Sequence, residues 1–259
     1  MRALVNRPSP ALADCELTFL DRDAIDVGRA QRQHEAYVEA LQALGVDVCV
    51  LRVNERYPDG AFVEDVAVIL DEVAVITTMG TPSRRDEIPG MRQAIAQLRE
   101  TTSMALPATL EGGDVLRVGR TLFVGQTSRT NREGAEALQA IARPWEYTVV
   151  PVEVPGCLHL KTCITALDDE TCLVNRQWLD VTPFAGFALV DVAPGEPWGA
   201  NVVRLPLGLL MNAAHPETAA GVRALGHEVR LVDISEFGKA EAGLTCMSLL
   251  FDGAARPGA

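Results

Sequence analysis

The sequence lacks the features of a membrane protein, a nucleic-acid-binding protein or a low-complexity protein. It has no run of eighteen apolar residues, so no transmembrane helix is expected. The first ten residues, MRALVNRPSP, hold no apolar signal core, which makes a cytoplasmic location the expectation. Lys and Arg number 23 against 35 Asp and Glu, and the net charge of -12 repels phosphate backbones. Nucleic acid is therefore an unexpected partner.

Paired cysteine motifs are absent as well. The six cysteines include no CxxC pair, and they are Cys15, Cys49, Cys157, Cys163, Cys172 and Cys246. In a reducing cytosol we expect six free thiols, most of them acting as small buried apolar side chains. At most one or two of them should be chemically special.

The chain does have the composition of an ordinary soluble globular protein, and it repeats one pattern. Its 259 residues are 48% hydrophobic and 22% charged, and they can bury a substantial core. Two segments, ALQALGVDVCVL and VRALGHEVRLVDI, each read as helix, glycine and strand. The predicted helices span residues 28–44, 85–99, 131–142, where Asn131 is the expected N-cap, and 215–226.

Hairpins lie between these helices. The predicted turns are at Asp71-Glu72, Gly119-Arg120, Asp168-Asp169 and 206–208. TCMSLLF reads as a last strand, with which RALVN could pair. A unit of hairpin, helix and strand therefore recurs about five times, although NRQWLDVTPFAGF makes a poor helix in the fourth unit. We predict one domain over residues 1–259, an α/β propeller of pseudo-fivefold symmetry. A doubly wound sheet is the alternative, but hairpins disfavour it because such a sheet is mostly parallel.

Polar residues recur where the predicted hairpins begin. They are Glu64 and Asp65 in FVED, Glu111 and Asp114 in EGGD, His159 in LHLKT and Cys246 in LTCMS. Any one of them alone could be a turn residue or a satisfied core residue. A ring of five units would bring all of them to one end of its axis. Because a buried polar cluster without partners is costly, their matching positions predict one functional pocket.

The sequence resembles the dimethylarginine dimethylaminohydrolases, a family of the guanidine-modifying, amidinotransferase-like superfamily with the five-bladed pentein fold. The resemblance runs from about residue 4 to 251. It is carried, in order, by IDVGRAQRQHEAYV, YPDGAFVEDVAVI, ITTMGTPSRRDE, LEGGDVL, FVGQTSRTNREGAE, LHLKT and GLTCMSLLF. It implies a hydrolase that converts Nω-methylated arginine into citrulline and a methylamine through a covalent cysteine thiouronium.

The resemblance also implies residue roles. Cys246 is similar to the nucleophile, His159 to the general acid and base, and Glu111 to the carboxylate that orients the histidine and helps to hold the guanidinium. Asp65 resembles the carboxylate that pairs with guanidinium nitrogens. Arg85 is expected to face solvent. The remaining matches are to substrate-binding positions: Glu64 and Asp59; Arg84 and Arg129, which would grip the substrate carboxylate; and Leu17 and Ala240, which would act through backbone atoms.

The implied partner is a small cationic guanidine, and no metal or organic cofactor is required. The acidic composition fits a monomer or a homodimer. A related guanidine or ureido hydrolase acting on arginine, agmatine or another substrate is the first alternative, because the loop ALADCELTFL departs from the family pattern. A non-catalytic pentein binding protein is the second, but it would be expected to lack the cysteine, the histidine or the paired acids.

Overall fold

Five three-stranded sheets make up the frame of the protein. The computed structural model describes residues 1–252. We call the sheets blades 1 to 5. Their strands are β1 (Arg2–Asn6), β2 (Asp47–Leu51), β3 (Ala67–Ile69), β4 (Ala74–Ile76), β5 (Thr101–Ser103), β6 (Val115–Val118), β7 (Thr121–Gln126), β8 (Thr148–Glu153), β9 (Ile164–Ala166), β10 (Thr171–Val174), β11 (Ala188–Asp191), β12 (Val203–Leu205), β13 (Gly208–Asn212), β14 (Val229–Val232) and β15 (Leu249–Phe251).

All five blades share one topology. The first two strands form an antiparallel pair, and the third, which follows a connection, lies parallel to the middle strand. Blades 2 to 5 take their strands consecutively from β3 to β14. Blade 1 joins the two ends of the chain, because β15 pairs antiparallel with β1 and β1 pairs parallel with β2. The predicted α/β ring with a unit split by the termini is confirmed.

Helices connect the second and third strands of most blades. They are α1 (Val27–Ala43), α2 (Ile88–Ala96) and α3 (Arg132–Ala142), with α5 (Pro216–Ala224) in blade 5. Two short helices, α4 (Leu160–Cys163) and α6 (Ser235–Gly238), lie elsewhere. The predicted cap is confirmed, since the Asn131 side chain accepts the Gly134 N–H at the start of α3. The predicted second helix is shorter than expected because Pro82–Glu87 is a 3-10 helix.

The connection in blade 4 is irregular, as its sequence predicts. A 3-10 helix, Thr182–Phe184, stands where the other blades carry an α-helix. Asp180 caps it by accepting both the N–H and the hydroxyl of Thr182. Pro183 cannot donate a backbone hydrogen bond, and Gly186 follows closely, so a longer helix is disfavoured.

The apolar core is divided among the five interfaces between adjacent blades. Each interface holds one cluster of buried side chains. Representative pairs are Leu4 with Ile76, Val75 with Val124, Phe123 with Val174, Leu173 with Leu209, and Leu210 with Leu41. No blade therefore buries its apolar faces alone, and each blade depends on its neighbours in the ring for its stability.

Two expectations need correction. Cys246 does not lie on a strand: it belongs to a 3-10 turn, Thr245–Met247, and β15 begins only at Leu249. Cys157 and Cys163 form a disulfide rather than two free thiols. The chain turns around His159 between them, which the spacing of six residues did not reveal.

None of the helices in the part of the chain that the structure describes has the length and apolarity needed to cross a bilayer. Residues 253–259 of the predicted domain lie outside the described residues.

Candidate active site

Each blade is preceded by a short turn, and all five turns contribute residues to one pocket. The turns are Val63–Val66, Gly112–Asp114, the start of α4, residues 200–202, and Thr245–Met247. Four of the turns contribute polar side chains, and the Gly112–Asp114 turn contributes the backbone of Gly113. The pocket is lined by Glu16, Asp59, Phe62, Glu64, Asp65, Arg84, Gly113, Arg129, Leu158, His159, Lys161, Thr162, Asn201, Ala240, Glu241, Ala242, Thr245 and Cys246.

The thiol of Cys246 lies half-buried on the wall of this pocket. Its Sγ accepts the backbone N–H of Gly243 at 3.3 Å. Burial, followed by the charges of Glu64 and Asp65, raises the thiol pKa to about 12. The resting cysteine is therefore a neutral thiol at pH 7, and a nearby cation would be needed to favour its ionisation.

His159 faces the same pocket and is held by carboxylates on both ring nitrogens. Its Nε2 lies 2.9 Å from Glu111 Oε2, and its Nδ1 lies 3.9 Å from Asp65 Oδ1. Burial opposes the charged imidazolium, but Asp65, Asp114 and Glu111 together outweigh it and raise the pKa to about 9. At pH 7 the imidazolium can thus serve as an acid.

Glu111 stands behind the histidine rather than on the pocket wall. Its side chain is fully buried. Burial opposes its ionisation, but the hydrogen bond from His159 prevails and lowers the carboxyl pKa. The backbone N–H of Gly113 donates to Asp65 at 3.1 Å. A Cβ at Gly113 would lie 2.5 Å from His159 Nδ1, so the EGGD turn needs a glycine where it passes the imidazole ring.

Asp65 and Arg84 form the buried ion pair of the pocket. Arg84 Nη1 donates to Asp65 at 2.7 Å, and the rest of the guanidinium donates to Glu87 and to the Phe62 carbonyl. Burial opposes ionisation of Asp65, but His159 and Arg84 lower its pKa. Arg85 is directed away and donates to the Met79 carbonyl. Four of the five N–H groups of Arg84 thus donate to protein acceptors, which leaves little of the guanidinium for a substrate carboxylate.

Four side chains tie the floor of the pocket together. Lys161 Nζ donates to Glu64 at 2.5 Å, and Glu64 accepts the Thr245 hydroxyl at 2.8 Å. Asn201 donates to the Lys161 carbonyl and to the Thr245 hydroxyl, and accepts the Thr245 N–H. Burial raises the pKa of Glu64 although Lys161 opposes the shift. This network fixes the residue immediately before Cys246.

Asp114 anchors three parts of the site from below. Its carboxylate accepts the Leu160 N–H, directly after His159, at 3.0 Å. It also accepts the hydroxyls of Thr127 and Thr130. The Thr130 hydroxyl in turn accepts the Glu111 N–H. Asp114 thus positions the backbones that carry the histidine and its carboxylate partner.

The remaining predicted residues lie at the pocket mouth. Arg129 donates to the Thr18 hydroxyl at 2.8 Å and its Nη1 lies 3.5 Å from Glu111 Oε2. Asp59 accepts the Glu16 N–H at 3.2 Å, and burial raises its pKa. Ala240 is buried on the wall. Leu17 is the exception: it packs against the apolar cluster of blades 1 and 5, and its neighbour Glu16 lines the pocket instead.

The ligand atoms of Asp65, Glu111 and His159 lie within 4.8 Å of one another, as a metal-binding set would. They contact one another, Arg84 and Arg129, and the two carboxylates also accept the backbone N–H groups of Gly113 and Thr81. The arrangement is thus that of a satisfied ion-pair network, in which a metal ion would have to displace the imidazolium proton.

Similarity to known proteins points to one family. The profile described as "N,N dimethylarginine dimethylhydrolase, eukaryotic" matches residues 19–182. A protein of Streptomyces coelicolor named N(G),N(G)-dimethylarginine dimethylaminohydrolase is 43% identical, with 96% of each chain covered. The chain belongs to the dimethylarginine dimethylaminohydrolase family.

Solved structures agree on the fold of this family member. A mutant DDAH from Pseudomonas aeruginosa, complexed with citrulline, matches at a TM-score of 0.92 and 31% identity, covering 96% of this chain and 98% of that one. The N-terminal domain of ArgZ, an arginine dihydrolase of cyanobacteria, matches at a TM-score of 0.85 and 19% identity, which shows the common fold alone. The fold is the five-bladed pentein.

Sequence reasoning missed Lys161, Asn201, Thr245 and Glu241 as pocket residues. Asn201 was the easiest of these to predict from the sequence. It stands before the first strand of blade 5, at the position where blades 2, 3 and 4 carry Asp65, Glu111 and His159. Extending the repeat to the fifth hairpin would have found it. Lys161 stands in the LHLKT segment. Glu241 carried no signal, because its role depends on a loop more than 200 residues away.

Proposed function

We propose that the protein hydrolyses Nω-methylated arginine to citrulline and a methylamine, with Cys246 as nucleophile. The observation that carries the proposal is the joint presence of Cys246, the Glu111-paired His159 and the carboxylates of Asp65 and Glu64 in one pocket. This set suits a cationic guanidine, and membership of the family supports the methylated substrate. The citrulline bound to the Pseudomonas aeruginosa relative supports the product.

The first half of the reaction uses the neutral thiol and the imidazolium. Binding of the guanidinium between the carboxylates lowers the thiol pKa by Coulomb attraction, and the thiol proton leaves to solvent. The thiolate adds to the guanidinium carbon. His159 then donates a proton to the methylated nitrogen, whose bond to carbon breaks. The amine departs and an S-alkylthiouronium remains on Cys246.

The second half returns both groups to their resting states. Neutral His159, oriented by Glu111, takes a proton from water while the water oxygen adds to the thiouronium carbon. The carbon–sulfur bond breaks, the ureido product loses its extra proton to solvent, and the released thiolate takes up a proton from solvent to become the resting thiol again. Glu111 stabilises the imidazolium that forms again, because its carboxylate accepts from Nε2.

Arg129 is the better placed of the two arginines for the substrate carboxylate. It has Thr18 and a 3.5 Å approach to Glu111 as described partners, whereas four of the five N–H groups of Arg84 donate to Asp65, Glu87 and Phe62. We further propose that Asp59, Ala240 and the loop around Leu17 surround the amino-acid end of the substrate. A single catalytic domain, a cytoplasmic location, a monomer or homodimer and independence of metal and organic cofactors complete the proposal.

The test is citrulline release from asymmetric dimethylarginine, monomethylarginine, symmetric dimethylarginine, arginine and agmatine. Cys246→Ser is the matched control, since it keeps the size of the side chain. Turnover of the first two that spares arginine and disappears in the variant supports the proposal. If arginine or agmatine were hydrolysed instead, the substrate would be that guanidine and not a methylated arginine. Substantial activity in Cys246→Ser would remove that residue from the nucleophile role.

A further inference from the structure

The carboxylate of Glu241 holds a loop at the mouth of the active site. Glu241 Oε2 accepts the N–H of Thr18 at 2.9 Å, and Oε1 accepts the N–H groups of Phe19 and Leu20, each at 2.5 Å. Three consecutive backbone N–H groups thus converge on one side chain. Such a concave run of N–H groups is an anion-binding arrangement, and the protein fills it with its own carboxylate.

The backbone conformation at position 241 does not explain why a glutamate stands there. Glu241 has φ 59°, in the left-handed region, three residues after the end of α6. The Ala242 N–H donates to Phe237, as in a glycine-terminated helix end. Glycine or asparagine would adopt this conformation at lower cost. Glu146 has φ 61° without such a ligand role for its side chain, so the three N–H partners, not the strain, distinguish Glu241.

The loop that Glu241 holds contacts two predicted substrate ligands. The Thr18 hydroxyl accepts from Arg129, and the Glu16 N–H donates to Asp59. Phe19 and Leu20 are largely exposed, at 52% and 38%, so apolar packing contributes little to holding this end of the loop. The Glu241 hydrogen bonds are therefore the main described restraint on residues 18–20. Glu241 itself also lines the pocket, five residues before Cys246.

We infer that Glu241 is a positioning residue that fixes the loop 16–20 over the amino-acid end of the substrate and so sets the preference for amino-acid guanidines. This inference rests on the proposed function. Glu241 acts on binding and not on bond breaking, because its carboxylate is committed to the loop. Removing the Glu241 carboxylate should weaken the contacts of Arg129 and Asp59 with the loop. It should leave the positions of Cys246, His159 and Glu111 unchanged.

The experiment compares Glu241→Ala and Glu241→Gln with Glu146→Ala, a matched control at a second left-handed glutamate that is exposed and distant from the pocket. Kinetics are measured on asymmetric dimethylarginine and on dimethylagmatine, which lacks the carboxylate. We expect Glu241→Ala to raise KM for dimethylarginine about tenfold, with kcat within about twofold and little change for dimethylagmatine. Glu241→Gln should raise this KM by an intermediate amount. Its amide NH₂ would face a backbone N–H of the loop, and two donors cannot form a hydrogen bond with each other. Glu146→Ala should match the wild type.

A second measurement separates this inference from the proposed function. Labelling of Cys246 by a bulky maleimide should be several-fold faster in Glu241→Ala than in the wild type or Glu146→Ala, whichever guanidine is the true substrate. Absence of citrulline release by the wild type would overturn the function but leave the labelling difference as a test of the loop. Equal labelling together with unchanged KM, or an equal loss of kcat/KM on both substrates, would overturn the role of Glu241.

Discussion

At the scale of single residues, the chemistry depends on which groups are charged before substrate binds. The thiol of Cys246 has its pKa raised to about 12, and His159 has its pKa raised to about 9. In the free enzyme the pair therefore consists of a neutral thiol and an imidazolium. Cys246 is not a thiolate before substrate binds. This state protects the cysteine from adventitious electrophiles, since the thiolate is the reactive form.

The pH dependence of alkylation tests that state. The rate at which iodoacetamide modifies Cys246 should rise about tenfold per pH unit through pH 8 without a plateau, because the thiolate fraction keeps growing. A saturating guanidine ligand that leaves the sulfur accessible should shift the curve to lower pH. A plateau already reached near pH 7 in the free enzyme would show a preformed thiolate and contradict the account. Cys246→Ser identifies the background from Cys49, the exposed free cysteine.

Replacing the two arginines of the pocket should have different effects. Loss of Arg84 should lower the stability of the fold, and loss of Arg129 should weaken substrate binding. Arg84→Ala leaves Asp65 and Glu87 buried without their cation, at a cost of about 3–5 kcal/mol in the free energy of unfolding. Arg129→Ala breaks only the Thr18 bond and the longer Glu111 contact. It should mainly raise KM, by about tenfold or more. Urea denaturation and steady-state kinetics measure the two effects, and a large stability loss in Arg129→Ala with unchanged KM would reverse the assignment.

At the scale of elements, the site consists of turns that stand just before the first strands of the blades. Their local structure follows from the sequence only in part. EGGD and FVED indicate turns, but the 3-10 conformation at Cys246 was not predicted, because TCMSLLF is as apolar as a strand. Hairpins, α1, α3 and the irregular blade 4 were predicted, because their periodicity and turn residues are local signals.

Asp114 links its own turn to the start of α4 and to the loop after β7, so its substitutions should show whether its hydrogen bonds position the histidine. Asp114→Ala leaves the Leu160 N–H buried without an acceptor, which costs about 1–3 kcal/mol, and it should lower kcat through His159. Asp114→Asn keeps an oxygen for that N–H and should cost less. Thermal denaturation and kcat on the preferred substrate measure both. Equal, small effects of the two substitutions would show that Asp114 does not position the histidine.

At the scale of the whole molecule, the active site exists only when the ring is closed. His159 and Glu111 belong to turns of different blades, and Cys246 belongs to the blade that joins the chain ends through β1 and β15. The repeat predicted this convergence from the sequence, since equivalent positions of a ring face one axis. It could not predict the loop held by Glu241, the Cys157–Cys163 disulfide or the internal partners of Arg84, because these depend on contacts that follow no repeating pattern.

The central claim is that Cys246 becomes covalently attached to the guanidine carbon of methylated arginine. The most direct measurement is mass spectrometry of the enzyme quenched in acid during turnover of asymmetric dimethylarginine, followed by digestion. The account predicts a mass increase equal to the substrate minus dimethylamine, confined to the peptide that contains Cys246 and absent in Cys246→Ser. Citrulline formation without any adduct on that peptide, or an adduct on another cysteine, would contradict it.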